Sequence, residues 1–486
     1  MIERIMGGTK TQFETKMTKG EIVLKRSLTK KMLMGLMAPV LIMSSTACSS
    51  GTSSSEKEGN ASDSKNTIEI AYRDFGSANV GLKEWLDETK KELEEQNPDA
   101  KVKFLPIQAS EGDFFAKLAL MVKSGETAPD VVTEDTFMIN SDAMAKNVEP
   151  LDDYIKDWDD WKNFNETVKQ GVTASDGKLY GVPYSTDTRG LWYNVNLFKK
   201  AGLPVPWEPK SWDDIIKAAE TIKEKVPGVV PFWANSGKAT GEATAMQTFE
   251  MLLYGTEDEL YDFESKKWVV KSKGFLDSLE FMDKIYSNKL GPELSQVLTG
   301  KAGDIVQTEL MPKEKVGIVL NGNWVPGVWR ENGPAPWAKG TETYKLAAMP
   351  TQNGQEPGFT SMSGGWALSI PSKADNKDLA WEFIKLATNA EHNKSYVLKQ
   401  GDLTPRTDVA KDPEVTEAPG SVTTEAAKLI DYTHFRPSVD KYPAVSTKIQ
   451  AAVEAVVTGS LSPKKAMEQY ANEVTRVVGA DNVTKK

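Results

Sequence analysis

The chain contains a single cysteine, Cys48, and only two histidines, His392 and His434, in 486 residues. One thiol cannot build a disulfide framework. One thiol and two distant imidazoles cannot fill a Cys/His zinc site or ligate an iron–sulfur cluster. The same scarcity leaves few candidates for histidine acid–base chemistry, and no HExxH helix is present. Positive charge is also in deficit, with 59 Lys and Arg against 69 Asp and Glu, a net of −10. That balance argues against a general nucleic-acid binder. Long apolar runs are missing: Met32 to Met43 falls short of the ~20 residues a membrane span needs. No G-x-S-x-G elbow occurs. Ser236 to Thr240 fails as a phosphate loop, because Ala239 stands where a Mg²⁺-binding hydroxyl belongs and Phe232 where the first glycine belongs. Ser175-Asp176-Gly177 lacks the spacing of a calcium loop. Neither a metal nor a cofactor is expected.

What remains is enough to fold. Hydrophobic residues make up 39% and charged residues 26%, the composition of a chain with sizeable cores. A prior of one domain per ~150 residues suggests two to four domains, or two large ones. The charge is divided unevenly. Residues 1–47 carry eight Lys and Arg against three Asp and Glu, a net of +5, which leaves −15 for the rest. Lys25, Arg26, Lys30 and Lys31 precede the run Met32 to Met43, and the small residues Ser45, Thr46 and Ala47 follow it. A basic stretch, a short apolar run and small residues form a secretory signal. Because Cys48 comes next, the segment resembles a bacterial lipoprotein signal, with Ser45 where the usual pattern has Leu. The expectation is a signal over 1–47, lipidation at Cys48 and a flexible tether over 48–66, which is Ser-rich and lacks core formers.

From residue 67 strands and helices alternate. Thr67 to Asp74, Lys101 to Pro106 and Asp130 to Asp135 read as strands. Leu82 to Glu95 and Phe114 to Lys123 read as surface helices between them, and Asp142 to Lys146 as a short helix. Ser211 is placed to cap a helix through Ile222. Further amphipathic helices are expected over 275–287, 380–390, 445–458 and 463–478. Strand–helix–strand order implies an α/β layer with a largely parallel sheet.

Several segments, in order, resemble an extracellular solute-binding protein of an ABC importer, of the large carbohydrate-binding group. They are Leu118 to Val132 with its Pro129-Asp130-Val131, Lys178 to Pro183, Trp192 to Leu203, Lys210 to Asp214, Val316 to Trp324, Met349-Pro350, Ser363 to Trp366, Ala380 to Ile384 and Gly401 to Arg406. The similarity spans about residues 67–480. It implies a two-lobe α/β fold of the periplasmic-binding-protein type, with hinge crossings and a ligand cleft between the lobes. Lobe one would take 67–185 plus 364–402, and lobe two 186–363 plus 403–480. The resemblance also implies a monomer that captures a sugar or oligosaccharide and delivers it to ABC permease subunits, outside the cell and touching the membrane only through the lipid anchor.

A sugar offers hydroxyl rims and C–H faces, so its site needs flat aromatics beside bidentate polar groups. The chain has 13 Trp and 13 Tyr. Clefts form at the carboxyl ends of strands in α/β lobes. The candidates are therefore Arg73 and Asp74 after the first strand, Glu134 and Asp135 after the third, and Ser185, Asp187 and Arg189 in the first crossing. Trp192 is read either as a cleft aromatic or as core. Trp233 precedes Asn235 and Ser236, and Asn323 and Trp324 stand at a matching family position. Gly364, Gly365 and Trp366 lie at the second crossing and Arg406 after the third. Trp85, Trp212, Trp268 and Trp381 are read as core, because they sit inside helical or strand patterns. The alternative function is a secreted carbohydrate-active enzyme, a glycoside hydrolase, with a carboxylate pair such as Glu134 and Asp135.

Overall fold

Ile68 and Ile70 alternate with polar neighbours in the strand Thr67–Arg73, and both are wholly buried. This strand is the first of the described elements. The computed structural model describes residues 66–74, 80–109, 111–418 and 422–486. The expected signal over 1–47, Cys48 and nearly all of the tether lie outside the described residues. Among the described residues no helix is long and apolar enough to cross a membrane.

Two sheets carry the architecture. The first has five strands in the order Lys101–Ile107, Thr67–Arg73, Val131–Asp135, Trp366–Ser369, Val182–Pro183. Its first three strands run parallel, and Trp366–Ser369 runs antiparallel to both neighbours. The second has four strands in the order Tyr344–Ala347, Arg189–Asn194, Val316–Gly322, Val230–Trp233. Its first two pairings are antiparallel and the last is parallel. Helices cover both sheets, giving the two-lobe α/β fold.

Packing follows the alternation of each strand. Ile68, Ile70 and Val131 of the first sheet meet Trp85, Trp381 and Phe383 from the helices Val80–Gln96 and Lys377–Ala387. In the second sheet Leu191 and Tyr193 face a core with Ile215, Leu279 and Ile285. Trp192 faces the other way, into a cluster with Trp233, Val306 and Val325. Each fully buried large apolar side chain contributes about 1.5–3 kcal/mol before the ordering entropy is counted.

Local signals set the helix ends. Ser211 Oγ accepts from Asp214 N at 3.4 Å and opens the helix Trp212–Lys225. The helix expected over 142–146 begins earlier and runs Thr136–Met144. Its cap is Asp135, whose carboxylate accepts from Phe137 N at 3.3 Å. A strand-terminal acid thus doubles as a helix cap, a role hidden in a sequence read as strand.

Three chain segments run side by side between the sheets. Thr186 and Leu403 exchange two backbone hydrogen bonds, of 2.9 and 3.0 Å. Thr186 Oγ1 donates to Gly364 O at 3.2 Å, and Gly364 N donates to Asp187 Oδ1 at 2.8 Å. Gly365 has φ +137, and a Cβ there would lie 2.3 Å from Ser185 O, so only glycine lets these segments approach so closely.

Candidate functional site

A cavity of 440 Å³ opens where the carboxyl ends of both sheets converge on these crossings. Arg73 and Asp135 reach it from the ends of their strands. Ser185, Asp187, Arg189, Gly364, Gly365 and Trp366 reach it from the crossings, and Trp324 from the turn after Val316–Gly322.

The floor is a fixed charge network. Arg189 is 5% exposed and binds the Asp187 carboxylate in bidentate fashion through Nη1 and Nη2. Its Nη1 also donates to Met362 O at 2.9 Å. Burial pulls the Arg189 pKa down, and the Asp187 charge opposes that pull. Trp324 lies over this guanidinium, 5.0 Å from ring centroid to Cζ, which sets a flat aromatic face in the cavity wall. Trp366 also lines the cavity, stacked on Phe115 at 6.4 Å and 13° and held by Trp366 N donating to Ser185 Oγ at 3.2 Å. Both indoles are half-buried, so each keeps surface for a ligand.

A second network closes one end. Arg436 Nη2 binds Asp135 Oδ1, and its Nη1 reaches Glu242 Oε2 at 3.4 Å. Its guanidinium lies 4.4 Å from the Phe137 ring centroid. Burial opposes the Arg436 charge, but Asp135 and Glu242 outweigh it and raise the pKa. Asp402 is half-buried in the wall, where desolvation pushes its carboxyl up to about 6, although Tyr396 OH donates to its Oδ2 at 2.6 Å.

Six sequence candidates take other positions. Asp74 pairs with Lys83 at 3.1 Å and does not line the cavity. Glu134 is 1% exposed and faces the opposite side of its strand from Asp135, as period-two alternation requires. Burial there, with Asp142 and Asp135 nearby, holds its pKa well above the usual carboxylate range. Trp192 and Trp233 are wholly buried in the second-sheet core, and Trp192 Nε1 donates to Gly322 O at 2.9 Å. Arg406 is 1% exposed and clamps Asp160 through Nη1 and Nη2 at 2.6 and 2.8 Å, and Asp408 through Nε and Nη2 at 3.1 and 2.7 Å. Asn323 is buried, taking Thr188 N at 2.9 Å and giving to Gly401 O at 3.1 Å, so it braces a crossing.

Other lining residues went unread in the sequence. Met246 and Gln247 come from the π-helical segment Ala245–Glu250, and Gln307 comes from a second, Ile305–Leu310. Wide turns of this kind break the 3.6-residue pattern on which helix reading depends. Arg436 was marked only by its place between Phe435 and Pro437.

Two lobes about a cavity of paired charges and half-exposed indoles define a ligand-binding protein of the hinged kind. Residues 79–394 match the model of the bacterial extracellular solute-binding proteins, and the chain belongs to that extracytoplasmic family. It is similar to the maltodextrin-binding protein MdxE of Bacillus subtilis (strain 168), 24% identical, with 94% of this chain and 99% of that one covered. The arabinooligosaccharide-binding protein of the same organism is also 24% identical, over 72% of this chain and 75% of that one. The fold matches a crystal structure of an ABC transporter solute-binding protein from Thermotoga lettingae bound with alpha-D-tagatose. That likeness has a TM-score of 0.73 at 24% identity and covers 85% of this chain and 100% of that one.

Proposed function

We propose that this protein is the substrate-binding component of an ABC importer, which captures a neutral sugar or oligosaccharide between its lobes and hands it to a membrane permease. The observation that carries this reading is the cavity itself, in which the faces of Trp324 and Trp366 stand beside the paired charges of Asp187 and Arg189. Aromatic faces suit the C–H surfaces of a sugar ring, and held carboxylates and guanidiniums suit its hydroxyls. The names of the two Bacillus relatives support the same ligand class. A ligand touching both lobes stabilises the closed form by its differential contacts, so binding and closure are one event. Lobe one takes 67–185 and 364–402, and lobe two takes 186–363 and 403–480.

The protein binds its ligand without chemical change. Glu134 and Asp135, one example of the carboxylate pair that a hydrolase reading needs, point to opposite faces of one strand and cannot flank one glycosidic bond. Cys48 carries a lipid that holds the monomer at the outer face of the membrane, and the polar tether over 48–66 gives it reach. Calorimetry with a panel of neutral sugars, run beside product analysis, tests the function. Saturable binding without turnover is expected, and turnover overturns the binding reading. Metabolic lipid labelling that persists in Cys48→Ser overturns the anchor.

A further inference from the structure

We propose that Asp402 determines specificity in the central cavity, its Oδ1 accepting one hydroxyl of the bound sugar while Tyr396 positions the carboxylate. This rests on the sugar reading above. Five carboxylates line the cavity: Asp135, Asp187, Glu242, Asp304 and Asp402. Three are committed, because Arg189 holds Asp187 and Arg436 holds both Asp135 and Glu242. Asp304 is exposed, so a ligand hydroxyl there only replaces water. Asp402 differs from all four. It is half-buried, and the Tyr396 hydroxyl occupies its Oδ2 at 2.6 Å. Its Oδ1 takes no hydrogen bond among the described residues and stays accessible. A hydroxyl donated to a desolvated carboxylate makes a stronger bond than one donated in water.

The position of this carboxylate is held from both sides. Gly401 ends the helix Ala390–Gln400 with φ +94, and its carbonyl takes Asn323 Nδ2 at 3.1 Å. Leu403 is locked to Thr186 by the paired backbone bonds of the crossing. Tyr396 lies on the same helix, with its ring against Trp85 at 5.1 Å and Tyr184 at 5.2 Å. A group fixed in this way loses little freedom on binding, and it rewards only a sugar that presents a hydroxyl at Oδ1. The charged and titratable groups facing Asp402 are Tyr184, Tyr396, Arg330, Arg189 and Asp187. Desolvation, helped by the Asp187 charge, raises its carboxyl to about 6 against the pull of Tyr396 and the two guanidiniums. A donated hydroxyl favours the ionised form, so binding releases a proton and affinity falls as pH drops through about 6. His392 and His434 do not line the cavity.

Calorimetry on the whole chain tests this, using three-unit oligosaccharides of the glucose, arabinose and galactose types and monodeoxy analogues of the one that binds. Wild-type affinity should fall about tenfold between about pH 7 and about pH 5, the limit for one proton. One monodeoxy analogue should bind about tenfold more weakly than its parent. Asp402→Asn still accepts from Tyr396 but turns a donor toward the ligand. It should bind the parent about tenfold more weakly at about pH 7, lose the pH dependence and no longer distinguish that analogue. Tyr396→Phe keeps the ring and removes the donor that favours the ionised carboxylate. Its pH midpoint should therefore move upward, which a loss of packing alone would not do. Urea melts verify that both variants fold. If a sugar binds and Asp402→Asn matches the wild type in affinity or in pH profile, the role of Asp402 is overturned and the sugar reading stands. If no sugar binds, both readings fall.

Discussion

Arg436 binds Asp135 across the cleft, joining a residue at the end of a first-sheet strand to one that follows the second sheet's strands in sequence. Both side chains are largely withdrawn from solvent, at 4% and 16% exposure, and Glu242 holds the other side of the guanidinium. A pair in this setting is held by low-dielectric attraction, and removing one charge leaves the other buried. The pair links the end of the strand Val131–Asp135 to the segment that follows Thr433–His434.

Asp135→Asn isolates that charge, because Asn still caps the helix Thr136–Met144. Stability should fall by about 1–3 kcal/mol in urea melts, less than for an orphaned ion because Glu242 remains beside Arg436. The ligand-free radius of gyration in X-ray scattering should rise as the open form gains population. An unchanged radius and an unchanged melt would show that the pair does not hold the lobes together.

Trp324 and Trp233 should separate binding from stability. Trp324→Ala removes a half-exposed indole from the cavity wall, so sugar affinity should drop at least tenfold, about 1.4 kcal/mol, with little change in folding. Trp233 is wholly buried among Trp192, Val306 and Val319. Trp233→Ala should cost about 3–5 kcal/mol of stability, and the folded fraction should bind normally. Calorimetry beside denaturant melts distinguishes the two, and equal effects in both assays would refute the division.

The contrast between these two tryptophans also marks what the sequence could tell. Apolar periodicity located the helices Pro463–Val478 and Trp212–Lys225 and placed Trp85, Trp212, Trp268 and Trp381 in cores, because period and burial share one physical cause. The resemblance of ordered segments located the crossings that carry Asp187, Arg189 and Trp366 to the cavity. Which face of a strand each side chain takes was harder. Glu134 and Asp135 look alike in sequence, yet one is sealed inside and the other lines the cavity. Arg406 looked like a ligand contact because it follows a crossing, but its partners Asp160 and Asp408 are visible only in three dimensions. Arg436, Gln247 and Gln307 had no periodic signal, since wide helical turns and an irregular segment present them.

Tyr442 OH lies 2.8 Å from Glu242 Oε2 and 2.7 Å from Glu250 Oε1, and a single hydroxyl proton cannot serve two carboxylates. Burial and the neighbouring Glu242 push the Glu250 carboxyl up to about 8, so at neutral pH Glu250 is protonated and donates to Tyr442. The folded state therefore holds this proton more tightly than the unfolded chain, whose glutamates titrate near about 4.3. The linked stability is fully present below that value and is lost as pH rises through about 8. Glu250→Gln keeps the shape and a donor without the titration. Wild-type stability should fall by a few kcal/mol between about pH 5 and 8 relative to the variant. Parallel pH profiles in urea melts would refute the shared proton.

Gly322 gives the sharpest test of how the cavity holds its aromatic face. A Cβ at this position would lie 1.8 Å from Trp324 Cζ3 and 2.2 Å from Cε3 and Cη2, so the indole lies directly against the bare backbone. Arg189 supports the same ring from the cavity floor, and Gly322 pairs with Arg189 in the sheet register. Gly322→Ala forces the indole off both supports while leaving the Trp324 side chain intact. The displaced ring must turn into the cavity or out to solvent. Sugar affinity should fall to nearly the level of Trp324→Ala, about tenfold. The double variant should be little worse than either single one, because both act through one ring. Calorimetry reads the affinity, and a shift in tryptophan emission reads the displacement. Multiplying losses in the double variant would show that the two residues act separately.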